Sequence, residues 1–317
     1  MRDRPSDDEL MPLSRRRLLA ASALLPVVGL AGGAGAARAQ ETAAMPRARR
    51  FALGDFEVST LLAGTRTAGS PQDIFGMNVD AETFTEVSEA NFIPADSNQF
   101  FFTPTVVRAG DETILFDTGL SPESILGALD DAGVAADDVD VVVITHMHGD
   151  HIGGLAGEDG SPTFANARYV TGQVEFDAWA KQDNEGFEAK VRPLAEKMTF
   201  VGDGDGVAPG ITAMAAFGHT PGHMIYHLES GGERLVVFAD TANHYVWSLA
   251  HPDWEVKFDM DKAAAAATRK RVLGMLAADR VPFVGYHMPF PAAGYVAARG
   301  EGFEYVPVSY QFMLEGA

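Results

Sequence analysis

Four side chains able to bind a metal crowd into six residues: His146, His148, Asp150 and His151, in the segment Thr145-His146-Met147-His148-Gly149-Asp150-His151-Ile152-Gly153-Gly154. The chain has nine histidines, and three of them packed here exceed what scattered structural histidines produce. Imidazole nitrogen and carboxylate oxygen suit zinc and also tolerate manganese, iron or cobalt, so the donor set implies a divalent ion without choosing it. On a loop, His146 and His148 can face one ion while Asp150 and His151 face a neighbour, and glycines at 149, 153 and 154 let the backbone fold tightly around them. His223, Asp240 and His287 each follow a separate apolar run, so strand ends on one edge could bring all seven together. Two ions about 3.5–4 Å apart share a water and lower its pKa from about 15.7 to about 7, which supplies hydroxide as the nucleophile at neutral pH. Asp150 is then a candidate for proton transfer. The chain has no cysteine, which excludes thiolate nucleophiles, disulfides and Cys-ligated clusters. It also lacks a Gly-x-Ser-x-Gly elbow, so a serine nucleophile is not called for.

The elements that must position these residues alternate between strand and helix. Arg50 to Leu62 alternates like a strand, and Asn98 to Arg108 and Thr113 to Phe116 are rich in aromatic and β-branched residues, joined as a hairpin by Ala109-Gly110-Asp111. Ser121-Pro122-Glu123 opens a helix that Gly133 closes. Val139 to Thr145 is a strand ending at His146. Ile211–Phe217 and Met224–Leu228 flank Gly218-His219-Thr220-Pro221-Gly222-His223, Arg234–Ala239 runs into Asp240, Asp261 caps a helix to about Ala278, and Val281–Tyr286 stops at His287. Between Ser70 and Asn98 the periodicity is weak, which suits a lid or pocket wall, with buried packing of Phe75, Phe84 and Phe92 as the equal alternative. Two mixed sheets sandwiched between helices explain the pattern. Phe101, Phe102, Trp247, Trp254 and Phe290 offer an apolar pocket.

Residues 1–39 read as an export signal: Arg15-Arg16-Arg17, a weakly apolar stretch, then Ala37-Arg38-Ala39 before Gln40, a twin-arginine pattern that implies a periplasmic or secreted protein. An uncleaved anchor over Leu18–Ala37 is the alternative, weakened by Pro26, Gly29, Gly32, Gly33 and Gly35. Residues 40–317 then form a single domain with no stable membrane insertion. The net charge of −20 repels polyanions and argues against nucleic acid.

His-x-His-x-Asp-His, the Gly-His-Thr-Pro-Gly-His element at 218–223, Phe238-Ala239-Asp240 and Asp117-Thr118-Gly119 together resemble the metallo-β-lactamase superfamily. The resemblance implies an α/β fold, an αββα sandwich of two mixed sheets flanked by helices. It implies two metal ions per chain, zinc first: His146, His148 and His223 on one, Asp150, His151 and His287 on the other, Asp240 bridging, with Asp117 and His219 orienting ligands. The bridging Asp240 is similar to lactonase, glyoxalase II and phosphotriesterase-like members, and the tail from His287 to Gly294 and Gly302 to Val308 looks like the methyl parathion hydrolase and quorum-quenching lactonase branch. That branch implies a small-molecule lactone or carboxylic ester substrate, with promiscuity toward organophosphate triesters, and homodimers are common in it. A tyrosine that some lactonases carry three positions after the bridging aspartate is Asn243 here, followed by His244; either could contact substrate. A glyoxalase II-type thioesterase, a β-lactamase and a non-catalytic metal-retaining binding protein are the alternatives.

Overall fold

The computed structural model describes residues 47–313; the export signal expected over residues 1–39 lies outside them. In chain order come strands β1 (Ala48–Leu53), β2 (Phe56–Leu61) and β3 (Gly64–Gly69), helix α1 (Ala81–Ala90), β4 (Ser97–Phe102), β5 (Thr105–Ala109), β6 (Glu112–Phe116), α2 (Pro122–Asp131), β7 (Val141–Ile144), α3 (Gly149–Ile152), β8 (Arg168–Gly172), α4 (Gln173–Trp179), α5 (Glu185–Lys190) and β9 (Met198–Val201). The second half adds β10 (Gly206–Ala208), β11 (Ile211–Ala215), β12 (Met224–Ser230), β13 (Glu233–Ala239), α6 (Lys262–Asp279), β14 (Phe283–Gly285), β15 (Ala293–Arg299) and β16 (Gly302–Pro307).

Two seven-stranded sheets result, ordered β1-β2-β5-β6-β7-β8-β9 and β10 through β16, with β3 and β4 as a separate two-stranded ribbon. Both large sheets are mixed: β6, β7, β8 and β9 pair in parallel, as do β13 and β14. Val141 and Val143 of β7 belong to the core between the sheets, with Phe116, Tyr226, Val236 and Phe283. Val142 and Ile144 face the opposite side, against Ile125 and Leu129 of α2. Burial on both faces explains why β7 reads as an unbroken apolar run. Val272, Leu273 and Leu276 of α6 join the central core, so helices cover the outer layers and the αββα expectation holds.

Several expected elements change at their edges. The run Arg50–Leu62 is a hairpin, because Gly54 turns at φ 56° where a Cβ would lie 2.2 Å from the Ser230 carbonyl oxygen. The run Asn98–Arg108 breaks at Thr103-Pro104 and its two parts enter different sheets. The weakly periodic stretch from Ser70 contains a regular helix, α1, whose cap is Asp80 accepting from the Thr83 N–H at 2.8 Å. Phe75 and Phe84 there are fully buried beside Trp247 and Trp254, so they are packing and not a lid. Val281–Tyr286 narrows to the three residues of β14.

Candidate metal centre

Each candidate ligand sits just past a strand. After β7, Thr145 is held by Asp117: its N–H donates to Oδ1 at 2.9 Å and its hydroxyl to Oδ2 at 2.8 Å. His148 then occupies the cap position of α3, so Asp150 and His151 lie in a first helical turn and not on an open loop. The turn is compressed against the chain after β6: a Cβ on Gly153 or Gly154 would meet the carbonyl oxygen of Leu120 or Thr118 at 2.3 or 2.2 Å. Asp117 also accepts from His151 Nδ1 at 2.8 Å, which fixes the tautomer and turns Nε2 inward. Tyr286 lays its ring 3.9 Å from that of His151 and donates its hydroxyl to the Asp150 carbonyl at 2.5 Å.

From the second sheet, Asp240 follows β13 and His287 follows β14, two parallel neighbours, so both emerge on the same edge. Asp240 Oδ1 stands 3.3 Å from His151 Nε2, and Oδ2 stands 3.1 Å from His287 Nε2, 3.3 Å from His219 Nε2 and 3.9 Å from His146 Nε2. Asp150 Oδ2 lies 3.4 Å from His287 Nε2. His148 Nδ1 is 3.1 Å from His146 Nε2 and 3.0 Å from His219 Nε2. Three groups therefore gather ligand atoms within 4.8 Å of one another: His146, His148 and His219; His146, His151 and Asp240; Asp150, His151 and His287.

His223, the expected ligand, and His219, the expected orienting group, both stand beside His146, with ring centroids 5.0 and 4.8 Å away. His223 has both ring nitrogens engaged, Nδ1 donating to the Ala216 carbonyl at 3.2 Å and Nε2 accepting the Asp240 N–H at 3.2 Å. With Nδ1 held by that carbonyl, His223 turns Nε2 toward Asp240, and His219 stands with His146 and His148. His219 is itself aimed from behind, because its Nδ1 donates to Asp259 at 2.9 Å and Asp259 is paired with the fully buried Arg269 at 2.6 Å. Arg269 also donates to the carbonyls of Thr241, Pro252 and Trp254. Asn243 and His244 do not line the cavity beside the cluster. Asn243 donates to Asp240 Oδ2 at 2.9 Å, and His244 caps the turn after it by accepting from the Val246 and Trp247 N–H groups.

Glu175, Asp259, Arg269 and Tyr286 escape the sequence reading. Glu175, buried, accepts from the Met147 N–H, the Thr220 hydroxyl and the Gly222 N–H, and so ties the first histidine segment to the second. Arg269 left a signal: with Ala265, Val272, Leu273 and Leu276 it occupies the buried stripe of α6, where an arginine needs a partner.

Burial pushes His146 well below its ordinary value, and His148 and His223 down to about 3. Burial also opposes charge on His151, His219 and His287, but neighbouring carboxylates outweigh it and all three are raised, His219 to about 9 through Asp240 and Asp259. Asp240 is held well below the carboxylate range: burial opposes this, and His287 and His151 overcome it. His151 Nε2 and Asp240 Oδ1 are buried, face each other, and have no hydrogen-bond partner. Orphaned atoms of that kind are costly unless something absent satisfies them, and nitrogen and carboxylate donors converging on one centre fit divalent cations. Alongside lies a cavity of about 400 Å³ walled by Phe100, Phe102, Leu120 and Phe258, with Arg66 at its rim. Of the aromatics expected at the pocket, Phe102 lines this cavity; Phe101 and Trp247 line a second one, and Trp254 is core.

A family model for the metallo-beta-lactamase superfamily matches residues 103–285. The chain belongs to that superfamily. Among curated relatives, it is 39% identical over 61 residues to the anti-Pycsar protein Apyc1 of Paenibacillus sp. (strain J14), covering 19% of this chain and 24% of that protein. It is 27% identical over 153 residues to an N-acyl homoserine lactonase of Bacillus sp, covering 48% and 58%. These matches span less than two thirds of either relative. A solved structure of AidC, described as a dizinc quorum-quenching lactonase in complex with a product, superposes with a TM-score of 0.77 at 25% identity over 83% of this chain and 98% of that one.

Proposed function

We propose that the protein hydrolyses lactones or related carboxylic esters with two divalent ions, zinc first among them, and with some reach toward organophosphate triesters. By superfamily it is a metal-dependent hydrolase; substrate and ion count are the finer reading. The observation that carries it is the pair of orphaned atoms, His151 Nε2 and Asp240 Oδ1, at the centre of a seven-residue cluster that opens on an apolar cavity. His146, His148 and His219 would hold one ion, Asp150, His151 and His287 the other, and Asp240 both. Such ions supply an activated water and polarise a carbonyl.

This chain's own residues do the rest. Asp117 and Asp259 hold His151 and His219 in the tautomer that presents Nε2. Asn243 fixes the Asp240 carboxylate. Asp150, its side chain 22% exposed and lining the cavity, is placed to accept a proton from water and return it to a leaving alkoxide. Phe100, Phe102 and Phe258 surround an acyl or alkyl group and keep bulk water from it. The lactonase relative and AidC's description support a lactone substrate, and residues 1–39 support export by a twin-arginine-type signal.

The test is turnover by the purified, metal-loaded protein of an acyl-homoserine lactone series, aryl esters and an organophosphate triester, each against His146→Ala. No turnover above that control on any of them overturns the reading. Faster turnover of S-lactoylglutathione or nitrocefin moves the substrate to the thioester or β-lactam class.

A further inference from the structure

Next to the metal-side cavity lies another of about 380 Å³, and His287 lines both. No Asp, Glu, Lys or Arg side chain lines this second cavity; its walls are formed by residues such as Ser97, Gln99, Phe101, Tyr245 and Trp247. His244 also lines it and is 7% exposed. Its Nδ1 accepts two backbone N–H groups, from Val246 and Trp247, each at 3.1 Å, so the ring proton resides on Nε2. The ring is held between Trp247 and Tyr245, with centroids 4.1 and 4.7 Å away. Nε2 has no hydrogen-bond acceptor among the described residues, on a ring that lines the cavity. The result is a neutral, rigid donor in an aromatic-walled space whose size suits a small molecule.

We propose that this cavity binds a neutral carbonyl compound, an amide or ester. Its oxygen accepts from His244 Nε2 and its hydrocarbon part lies against Phe101, Tyr245 and Trp247. A carboxylate is disfavoured because it would lose its water with no lysine or arginine lining the cavity to replace it. Through His287 and the Phe101 carbonyl, which accepts from His287 Nδ1 at 2.8 Å, an occupant touches the group that faces Asp240. The proposal stands whatever substrate the metal side takes.

The experiment titrates hexanamide and hexanoate into the metal-loaded full chain while following the indole N–H resonance of Trp247, assigned with Trp247→Phe. Saturable shifts with hexanamide, at least 10-fold weaker with hexanoate, are expected. His244→Asn keeps an acceptor for the cap but removes the donor, and is expected to weaken hexanamide at least 10-fold with metal content unchanged. Ser97→Leu, which narrows the cavity and leaves the His244 side chain unchanged, is expected to do the same and decides the matter should His244→Asn fail to fold. Equal binding of amide and carboxylate, no saturable shift in the parent protein, or hexanamide affinity unchanged in the variants overturns the proposal.

Discussion

Asp259→Asn isolates the device that aims His219. Asp259 and Arg269 are each 1% exposed and meet at 2.6 Å, so the substitution leaves a guanidinium buried with no opposite charge. Breaking a buried pair from one side costs about 3–5 kcal/mol. An amide in the same place still accepts from His219 Nδ1 but no longer holds it electrostatically, and loss of such an outer partner weakens a metal by about 10–100-fold, or about 1.4–2.7 kcal/mol. Urea unfolding of the metal-free protein reads the first effect, and chelator competition reads the second. Leu273→Ala is the control: it lies four residues along the same helix, is fully buried, and costs about 2–5 kcal/mol through its cavity alone. The expected result is two variants of similar stability of which only Asp259→Asn loses metal affinity. Wild-type affinity in Asp259→Asn, or an equal loss in Leu273→Ala, refutes the positioning argument.

Other outcomes follow from neighbouring features. His219→Gln is expected to retain about half the bound metal of the parent protein and His223→Gln nearly all of it, by elemental analysis; the reverse order would assign the ligand role to His223. Gly154→Ala forces a Cβ to within 2.2 Å of the Thr118 carbonyl and should cost at least about 1–3 kcal/mol, whereas Gly274→Ala, inside α6 with open space around it, should stabilise by about 1 kcal/mol; calorimetry of the pair checks the opposite signs. Asp80 is held below its ordinary value by the backbone and side-chain hydrogen bonds of Thr83. The stability it contributes to α1 is therefore present above its unfolded pKa of about 3.9 and is lost as pH falls through the lower folded value. Amide exchange in α1 should report that loss in the parent chain and not in Asp80→Ala.

The parts of the fold that were legible are those whose cause is local. Ser121, Pro122 and Gly133 mark both ends of α2 by their own backbone chemistry, and the run into His146 is apolar because β7 is buried on both faces. Pro104, which lacks an N–H, was the overlooked clue that the run from Asn98 is two strands. Which of His219 and His223 stands nearest His148 was not legible: both are histidines beside glycine, and the outcome depends on where the turn aims each ring. Glu175 reaches its partners across 28 to 47 residues of chain and Asp259 reaches His219 across 40, through contacts that no spacing rule encodes.

The donors come from both halves of the sandwich: His146, His148, Asp150 and His151 from beyond β7, and His219, Asp240 and His287 from the loops of the second sheet. Cations seated among them would act as a clasp across the seam, and a clasp that recognises only the closed form adds about 4.1 kcal/mol at a thousandfold excess over its dissociation constant. Such an enzyme carries its durability on loan from its inorganic partners. Stripping them would disarm it and, in the same act, leave its two layers joined by their shared apolar core and by polar ties such as that of Glu175 to Thr220 and Gly222.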